Sequence, residues 1–344
     1  MNLILIYSFI LNLIIFLNFE RLSKIINIYD LPDNKLKLHR KKTPIIGGVI
    51  LAINFCFLFF YQIFFLGDFL SIQVIQISFI ELLSSLFIIF AFFLLGLYDD
   101  KYNLSPNKKF FYSIIITLIA IFFNENLIIK MLSISFIEKK IFFENFSYLF
   151  TIFCILILVN ALNFYDGING QSCVIFIVFF IFLFIKSEMN YFYFVVLISI
   201  FFVLVLNISN KVFLGDGGVY FLSLVLSLCL IYEHNIQNNI IYSDEILFLL
   251  LLPGIDLLRL TISRLSNSTN PFFGDRNHIH HLLIKKNTTL VSNFILFFLS
   301  IIPIILFSYL KFSFFLVFFI FLFIYGLLIY SLKSNDKKYS NRKK

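Results

Sequence analysis

The sequence predicts an all-α fold, a polytopic integral membrane helical bundle of about eleven transmembrane helices that makes one domain of residues 1–344. Three observations predict it. The 344 residues are 60% hydrophobic and only 13% charged, with a mean hydropathy of +0.97, whereas soluble domains are about 45–50% apolar. Apolar runs of the length a bilayer core needs, about 20 residues each, alternate with short polar gaps. No Pro/Gly/Ser-rich linker or shift in composition divides the chain, so the length prior of about 150 residues per domain gives way to one unit.

The runs are taken in chain order. The first, near residues 1 to 19, has no basic leader and no small-residue cleavage site, and reads as a retained span rather than a signal peptide. Runs near 45 to 66, 74 to 97, 110 to 123, 147 to 163, 172 to 186, 190 to 208, 217 to 232 and 244 to 264 follow, each bounded by Asp, Asn, Gly or Lys. The last two, near 291 to 309 and 312 to 332, lead into a basic tail at 333–344. The richness in Phe, Ile, Asn and Lys pervades spans and loops alike, as codon bias in an AT-rich genome produces. Phe stripes therefore carry little functional information.

Charge fixes the orientation. The loop at 20 to 43, alternate later gaps and the tail carry 22 of the 27 basic residues. Lys130, Lys139, Lys140, Lys186 and Lys311 make up the other side. Cytoplasmic loops hold the excess of Lys and Arg, so the first set is expected inside, with the N-terminus outside and the C-terminus inside. The tail reads as a topology signal or a contact with anionic membrane lipid. The net charge of +8 sorts by membrane side and forms no single basic surface, so no nucleic acid partner is expected. Cys56, Cys154, Cys173 and Cys229 sit singly among apolar residues and read as packing residues.

The polar clusters share the face marked cytoplasmic. Asp99-Asp100 ends the third run, and adjacent carboxylates repel unless a cation is near; hard oxygens of this kind suit Mg²⁺, although Lys101 offers partial neutralisation at a solvated helix end. Asn160, Asn163 and Asp166 recur at one-turn spacing, with Gly167 expected to end that helix. Amide oxygens ligate Mg²⁺ and amide N–H groups donate to sugars or phosphates. In Phe213-Leu-Gly-Asp216-Gly-Gly218 the glycines allow close backbone approach to a ligand; Asp216 taken singly reads better as a helix cap, and taken with Asp99, Asp100 and Asp166 on one membrane side it reads better as part of a metal site. Asp256 and Arg259, three apart, read as a pair. Asp275-Arg276-Asn-His278-Ile-His280-His281 has tighter His spacing than a zinc site and no Cys, and fits an anionic diphosphate better.

These segments, together with His39-Arg-Lys-Lys-Thr43-Pro44-Ile-Ile-Gly47-Gly48 and Ser105-Pro-Asn-Lys-Lys109-Phe, resemble the polyprenyl-phosphate N-acetylhexosamine-1-phosphate transferases, glycosyltransferase family 4. The resemblance spans residues 39 to 281. It implies an enzyme of the bacterial cytoplasmic (inner) membrane with its active site on the cytoplasmic face. Such enzymes pass a sugar 1-phosphate from a UDP-N-acetylhexosamine to undecaprenyl phosphate, releasing UMP, with Mg²⁺ or Mn²⁺; a homodimer is compatible with it. By resemblance, Asp216 and Asn163 are metal ligands, and Asp99, Asp100 and Asp166 are catalytic. Lys109, Asn160, Arg276, His278, His280 and His281 bind substrate. The peptidoglycan branch, which transfers phospho-MurNAc-pentapeptide, has three successive His followed by Glu. The order His-Ile-His-His-Leu-Leu here resembles the GlcNAc-1-phosphate branch.

Two other classes compete. An intramembrane aspartyl protease also uses Tyr-Asp and Gly-Asp, as in Tyr98-Asp99 and Gly215-Asp216, but it needs Gly where Phe213 stands and a Pro-Ala-Leu segment absent here. A secondary transporter places its acids near the midplane between repeats. Here they lie at span ends, without an internal repeat.

Overall fold

A computed structural model describes residues 2–32, 42–65, 79–187, 190–235, 241–269 and 276–341. His39, Arg40, Lys41 and Asp275, together with Lys35, Lys37, Arg342, Lys343 and Lys344, lie outside the described residues. The chain is an all-α polytopic membrane protein. Its helices are α1 (Asn2–Leu17), α2 (Phe19–Ile26), α3 (Gly47–Phe65), α4 (Phe79–Tyr102), α5 (Pro106–Phe123), α6 (Ser147–Tyr165) and α7 (Gln171–Lys186). They continue as α8 (Asn190–Ile208), α9 (Gly215–Asn235), α10 (Ser243–Leu249), α11 (Leu251–Ser266), α12 (Ile279–Ile284), α13 (Thr289–Ile304) and α14 (Phe314–Asn341). Strands β1 (Tyr29–Asp30) and β2 (Thr43–Pro44) pair antiparallel, as do β3 (Met131–Ile134) and β4 (Lys139–Phe142).

Among the described residues seven helices are long and apolar enough to span a bilayer, and two bent pairs raise the number to nine. Gly47–Tyr61 and Gln171–Lys186 are shorter apolar helices. The eleven runs thus correspond to eleven apolar segments that are not all straight spans. The chain bends by 71° between α1 and α2, at the end of the first run, so α2 occupies the start of the loop expected at 20 to 43. α2 is amphipathic, with Phe19, Leu22 and Ile26 against the core and Glu20, Arg21 and Lys24 exposed. The run at 244 to 264 bends by 69° between α10 and α11. Pro253 explains the break: its ring displaces the carbonyl four residues earlier, at Leu249, where α10 ends.

The helix α9 is the axis of the bundle, 72% buried along its span. Small residues let its start approach two other helices backbone to backbone, the usual device where lipid removes the hydrophobic drive for helix association. A Cβ on Gly48 of α3 would lie 2.4 Å from the Gly218 nitrogen, and one on Gly96 of α4 would lie 2.6 Å from the Asp216 carbonyl oxygen. The glycines around Asp216 therefore serve helix contact, where the sequence suggested approach to a ligand. Further along, Phe55, Phe90 and Phe93 set their rings against Phe221 of α9. Outward faces carry exposed rings such as Phe122, Phe323 and Tyr330, as lipid contact requires.

Candidate active site

The end of α4, the start of α5 and the start of α9 meet in one acidic centre. Asp100 turns both carboxylate oxygens to the unsatisfied amides that open α9: the Asp216 N–H donates to Oδ1 at 2.9 Å and the Gly217 N–H to Oδ2 at 3.0 Å. Asp216 therefore lies inside the first turn of α9 and is not its cap, since the cap comes from another helix. Gly215, which precedes it with φ +74°, has no room for a side chain: a Cβ would lie 2.2 Å from Ile45 and 2.6 Å from Asp100.

Asp99 accepts the Leu104 N–H at 2.7 Å and pairs with Lys109. The Lys109 ammonium bridges to Asp216 Oδ2 at 3.1 Å. The cation demanded by the paired acids is thus Lys109; Lys101 is exposed and lies 5.2 Å over the Tyr102 ring.

α6 carries the second group. Asn160 spends its amide N–H on its own helix, donating to the Leu156 carbonyl at 2.7 Å. Asn163 Oδ1 is buried without a hydrogen-bond partner. Asp166 follows the helix end at Tyr165 and accepts the Ser172 hydroxyl at 2.6 Å. Burial pushes the Asp166 carboxyl up to about 6, against the opposing pull of Ser172. The turn that follows hangs on three asparagines the sequence reading did not single out. The Gly170 N–H donates to Asn207, Asn169 donates to Asn210, and Asn293 donates to the Asn169 carbonyl at 2.8 Å. Gly170, at φ +86°, takes the left-handed conformation.

The His loop is built on Asp256. That buried carboxylate accepts Arg259 at 2.7 Å and the Tyr325 hydroxyl of α14 at 2.7 Å, and pairs with His278 Nδ1 at 2.8 Å. The expected Asp256 and Arg259 pair is present, with Tyr325 as a partner that sequence gave no means to find. His278 stacks on His280 with ring centroids 5.3 Å apart. His280 is fully buried; Gln171 Nε2 donates to its Nδ1 at 3.0 Å, which leaves the proton on Nε2. Burial, with His281 and His278 nearby, holds the His280 imidazole well below its ordinary pKa. Gly167 makes room for this ring, for a Cβ there would lie 1.9 Å from Nε2. Its role is close packing, and α6 already ends at Tyr165.

A cleft of about 570 Å³ brings together Asp99, Asp100, Asp166, Asp216 and His281, with Asn169 on its wall. Lys109 reaches it through its bonds to Asp99 and Asp216. Of the other residues singled out, Asn160, Asn163, His278 and His280 are not on this wall, and Arg276 is exposed in the loop before α12. Among the described residues no three His, Cys, Asp or Glu side chains form a ready metal set. Two carboxylates with a cation between them nevertheless fit Mg²⁺. Lys109 stands where a divalent ion would be attracted, and Mg²⁺ commonly takes one or two carboxylates and completes its shell with water and phosphate oxygens.

Residues 82–234 match the family described as Glycosyl transferase family 4. The chain is a polytopic membrane protein that is similar over this region to glycosyl transferase family 4. That region holds Asp99, Asp100, Lys109, Asn160, Asn163, Asp166 and Asp216. The chain is similar to the undecaprenyl-phosphate alpha-N-acetylglucosaminyl 1-phosphate transferase of Yersinia pestis, 25% identical over 303 residues that cover 85% of this chain and 79% of the relative. It is likewise similar to the enzymes of that name from Escherichia coli O157:H7, at 25% identity over 82% of this chain and 76% of the relative, and Haemophilus influenzae, at 24% over 80% and 77%. The resemblance read from the motifs is borne out.

Proposed function

We propose that the chain transfers N-acetylglucosamine 1-phosphate from UDP-GlcNAc to undecaprenyl phosphate at the cytoplasmic face of a bacterial inner membrane, releasing UMP. The observation that carries this reading is the convergence of Asp99, Asp166, Asp216 and His281, drawn from four separate helix ends, on one cleft. The names of the relatives support the sugar and the lipid. Such a product would begin a lipid-linked cell-surface polysaccharide.

The chemistry assigned to each residue follows from its contacts. Asp99 and Asp216 would hold Mg²⁺, which supplies neutralisation of a diphosphate whose transfer barrier is mostly charge. Lys109, displaced from those carboxylates, is within reach of the same phosphates. Asp100 acts as an organiser, because both its oxygens are engaged by α9. No general base is required of it, since a phosphate monoester with a second pKa near 6 is already mostly dianionic at neutral pH. Asp166, which also lines the cleft, positions donor or acceptor. An apolar cavity of about 300 Å³ between α6, α9 and the bend at Pro253 offers space for an acyl or prenyl chain beside the same helix.

The test is transfer of radiolabel from UDP-GlcNAc to undecaprenyl phosphate by membranes carrying the protein, with divalent-ion dependence and tunicamycin sensitivity expected. Robust transfer from UDP-MurNAc-pentapeptide with none from any UDP-N-acetylhexosamine would assign it to the peptidoglycan branch instead.

A further inference from the structure

Two helices that begin beside the acidic cleft, α7 and α13, lead at their far ends to the wall of a second cavity. α7 runs from Gln171 to Lys186, α9 from Gly215 to Asn235, and α13 from Thr289 into a π-helical turn, Ile305–Tyr309, that leads to Lys311. At 1.5 Å per residue each is roughly 24–31 Å long, so this cavity lies across the bundle from the cleft. Its volume is about 520 Å³, and Lys186, Glu245, Ser308, Lys311, Phe312 and Phe315 are on its wall.

Three features suit it to an anion carried by an amphiphile. Glu245 is fully engaged, by the Lys186 ammonium at 2.8 Å and by the Tyr242 N–H at 3.2 Å. Lys186 retains further N–H donors, and Lys311 pairs with no acid among the described residues, so the wall carries one surplus positive charge. Ser308, only 3% exposed, has a hydroxyl with no hydrogen-bond partner. A buried hydroxyl left unmade is costly, which favours an acceptor oxygen brought by a ligand. Phe312 and Phe315 are exposed at the mouth, where an acyl chain would lie. Asp244, beside Glu245, is not on this wall and is engaged by two residues that are, accepting the Ser135 hydroxyl at 2.7 Å and the Ser135 and Phe136 amides.

We propose that this cavity binds a phosphate group, presented by a membrane lipid or free in solution, at the end of the bundle opposite the cleft. Two ammonium groups and a hydroxyl match the oxygens of a phosphate ester.

Native mass spectrometry of the full chain in detergent tests it, with dioleoyl phosphatidylglycerol, dioleoylglycerol and inorganic phosphate as probes. Lys311→Asn removes the charge with a residue that tolerates the left-handed φ of +57° at that position. Ser308→Ala is the second variant, and Lys139→Asn on the exposed hairpin is the charge control. Retention of phosphatidylglycerol is expected to fall about tenfold in Lys311→Asn and to fall in Ser308→Ala, with Lys139→Asn unchanged. Dioleoylglycerol, lacking the phosphate, should not be retained. Competition by inorganic phosphate alone would assign the site to the free ion, and its absence to the lipid. No retention of either phosphate probe, retention of dioleoylglycerol to the same degree, or wild-type retention by both site variants would overturn the proposal.

Discussion

The Asp100 carboxylate caps the helix that carries Asp216, accepting the Asp216 and Gly217 amides at 2.9 and 3.0 Å. One aspartate thus supports the fold while its neighbours Asp99 and Asp216 hold the charge. The two kinds of aspartate should separate on mutation. Asp100→Asn keeps one acceptor oxygen but turns an amide NH₂ toward the other N–H donor, and is expected to cost about 1–3 kcal/mol, seen as a lower thermal midpoint. Asp216→Asn keeps shape and should melt like the wild type while transfer falls by about 10²-fold or more, as for loss of one strong electrostatic contact in a transition state. Near-normal turnover in folded Asp216→Asn would remove that residue from the chemistry.

Lys109 predicts a metal response. Its ammonium is the cation between Asp99 and Asp216, so Lys109→Gln leaves two carboxylates facing each other. In chelator this variant should melt below the wild type, and added Mg²⁺ should raise its midpoint by more than it raises the wild type's. An equal or smaller Mg²⁺ shift would show that the two carboxylates do not share an ion.

Gly167 and His280 predict a coupled pair. Gly167→Ala places a methyl 1.9 Å from His280 Nε2 in a site where the ring has no exposed surface into which to retreat. Overpacking of this kind costs about 1–3 kcal/mol. The double variant Gly167→Ala, His280→Ala should recover much of the loss that the first change causes. Additive thermal shifts in the two single variants and the double would rule the contact out.

Asp166 predicts a pH dependence. Its carboxyl, raised to about 6 from an ordinary 3.8, favours the protonated form in the fold. The stability it confers is complete below pH 4 and is lost as pH rises through about 6. Wild type should therefore weaken relative to Asp166→Asn between pH 4 and 7, by at most roughly 3 kcal/mol at 1.36 kcal/mol per unit. Thermal midpoints of both proteins across that range supply the check, and a constant gap would contradict the burial of the charge.

The spans and the acidic helix ends were legible because both rest on local rules: a bilayer's thickness sets run length, and a carboxylate in an apolar context is expensive enough to stand out. The run at 244 to 264 contains Pro253, which is enough to bend it. What was not legible depends on contacts distant in sequence. Nothing local ties Tyr325 in the last span to Asp256, or Asn207 and Asn293 to the turn after Asp166. The glycines at 48, 96 and 218 are equally compatible with ligand approach and with helix approach until the neighbouring backbone is known. His280 looks like its neighbours in the sequence, and only burial distinguishes it from His281 on the cleft wall.

The cleft and the β3–β4 hairpin lie at opposite ends of the helices, so their sides of the membrane are linked. Asn103 is exposed at the end of α4 beside Asp99, and Glu138 is exposed at the hairpin tip. The excess of Lys and Arg that the sequence places on alternate loops predicts Asn103 in the cytoplasm and Glu138 outside. The four native cysteines all belong to the apolar helices, so replacing them by Ala should leave a usable background. In intact cells an impermeant thiol reagent is expected to label Glu138→Cys and to reach Asn103→Cys only after permeabilisation. The reverse pattern would put the cleft on the outer face, where no cytoplasmic UDP-sugar could enter it, and would defeat the proposed donor along with the orientation.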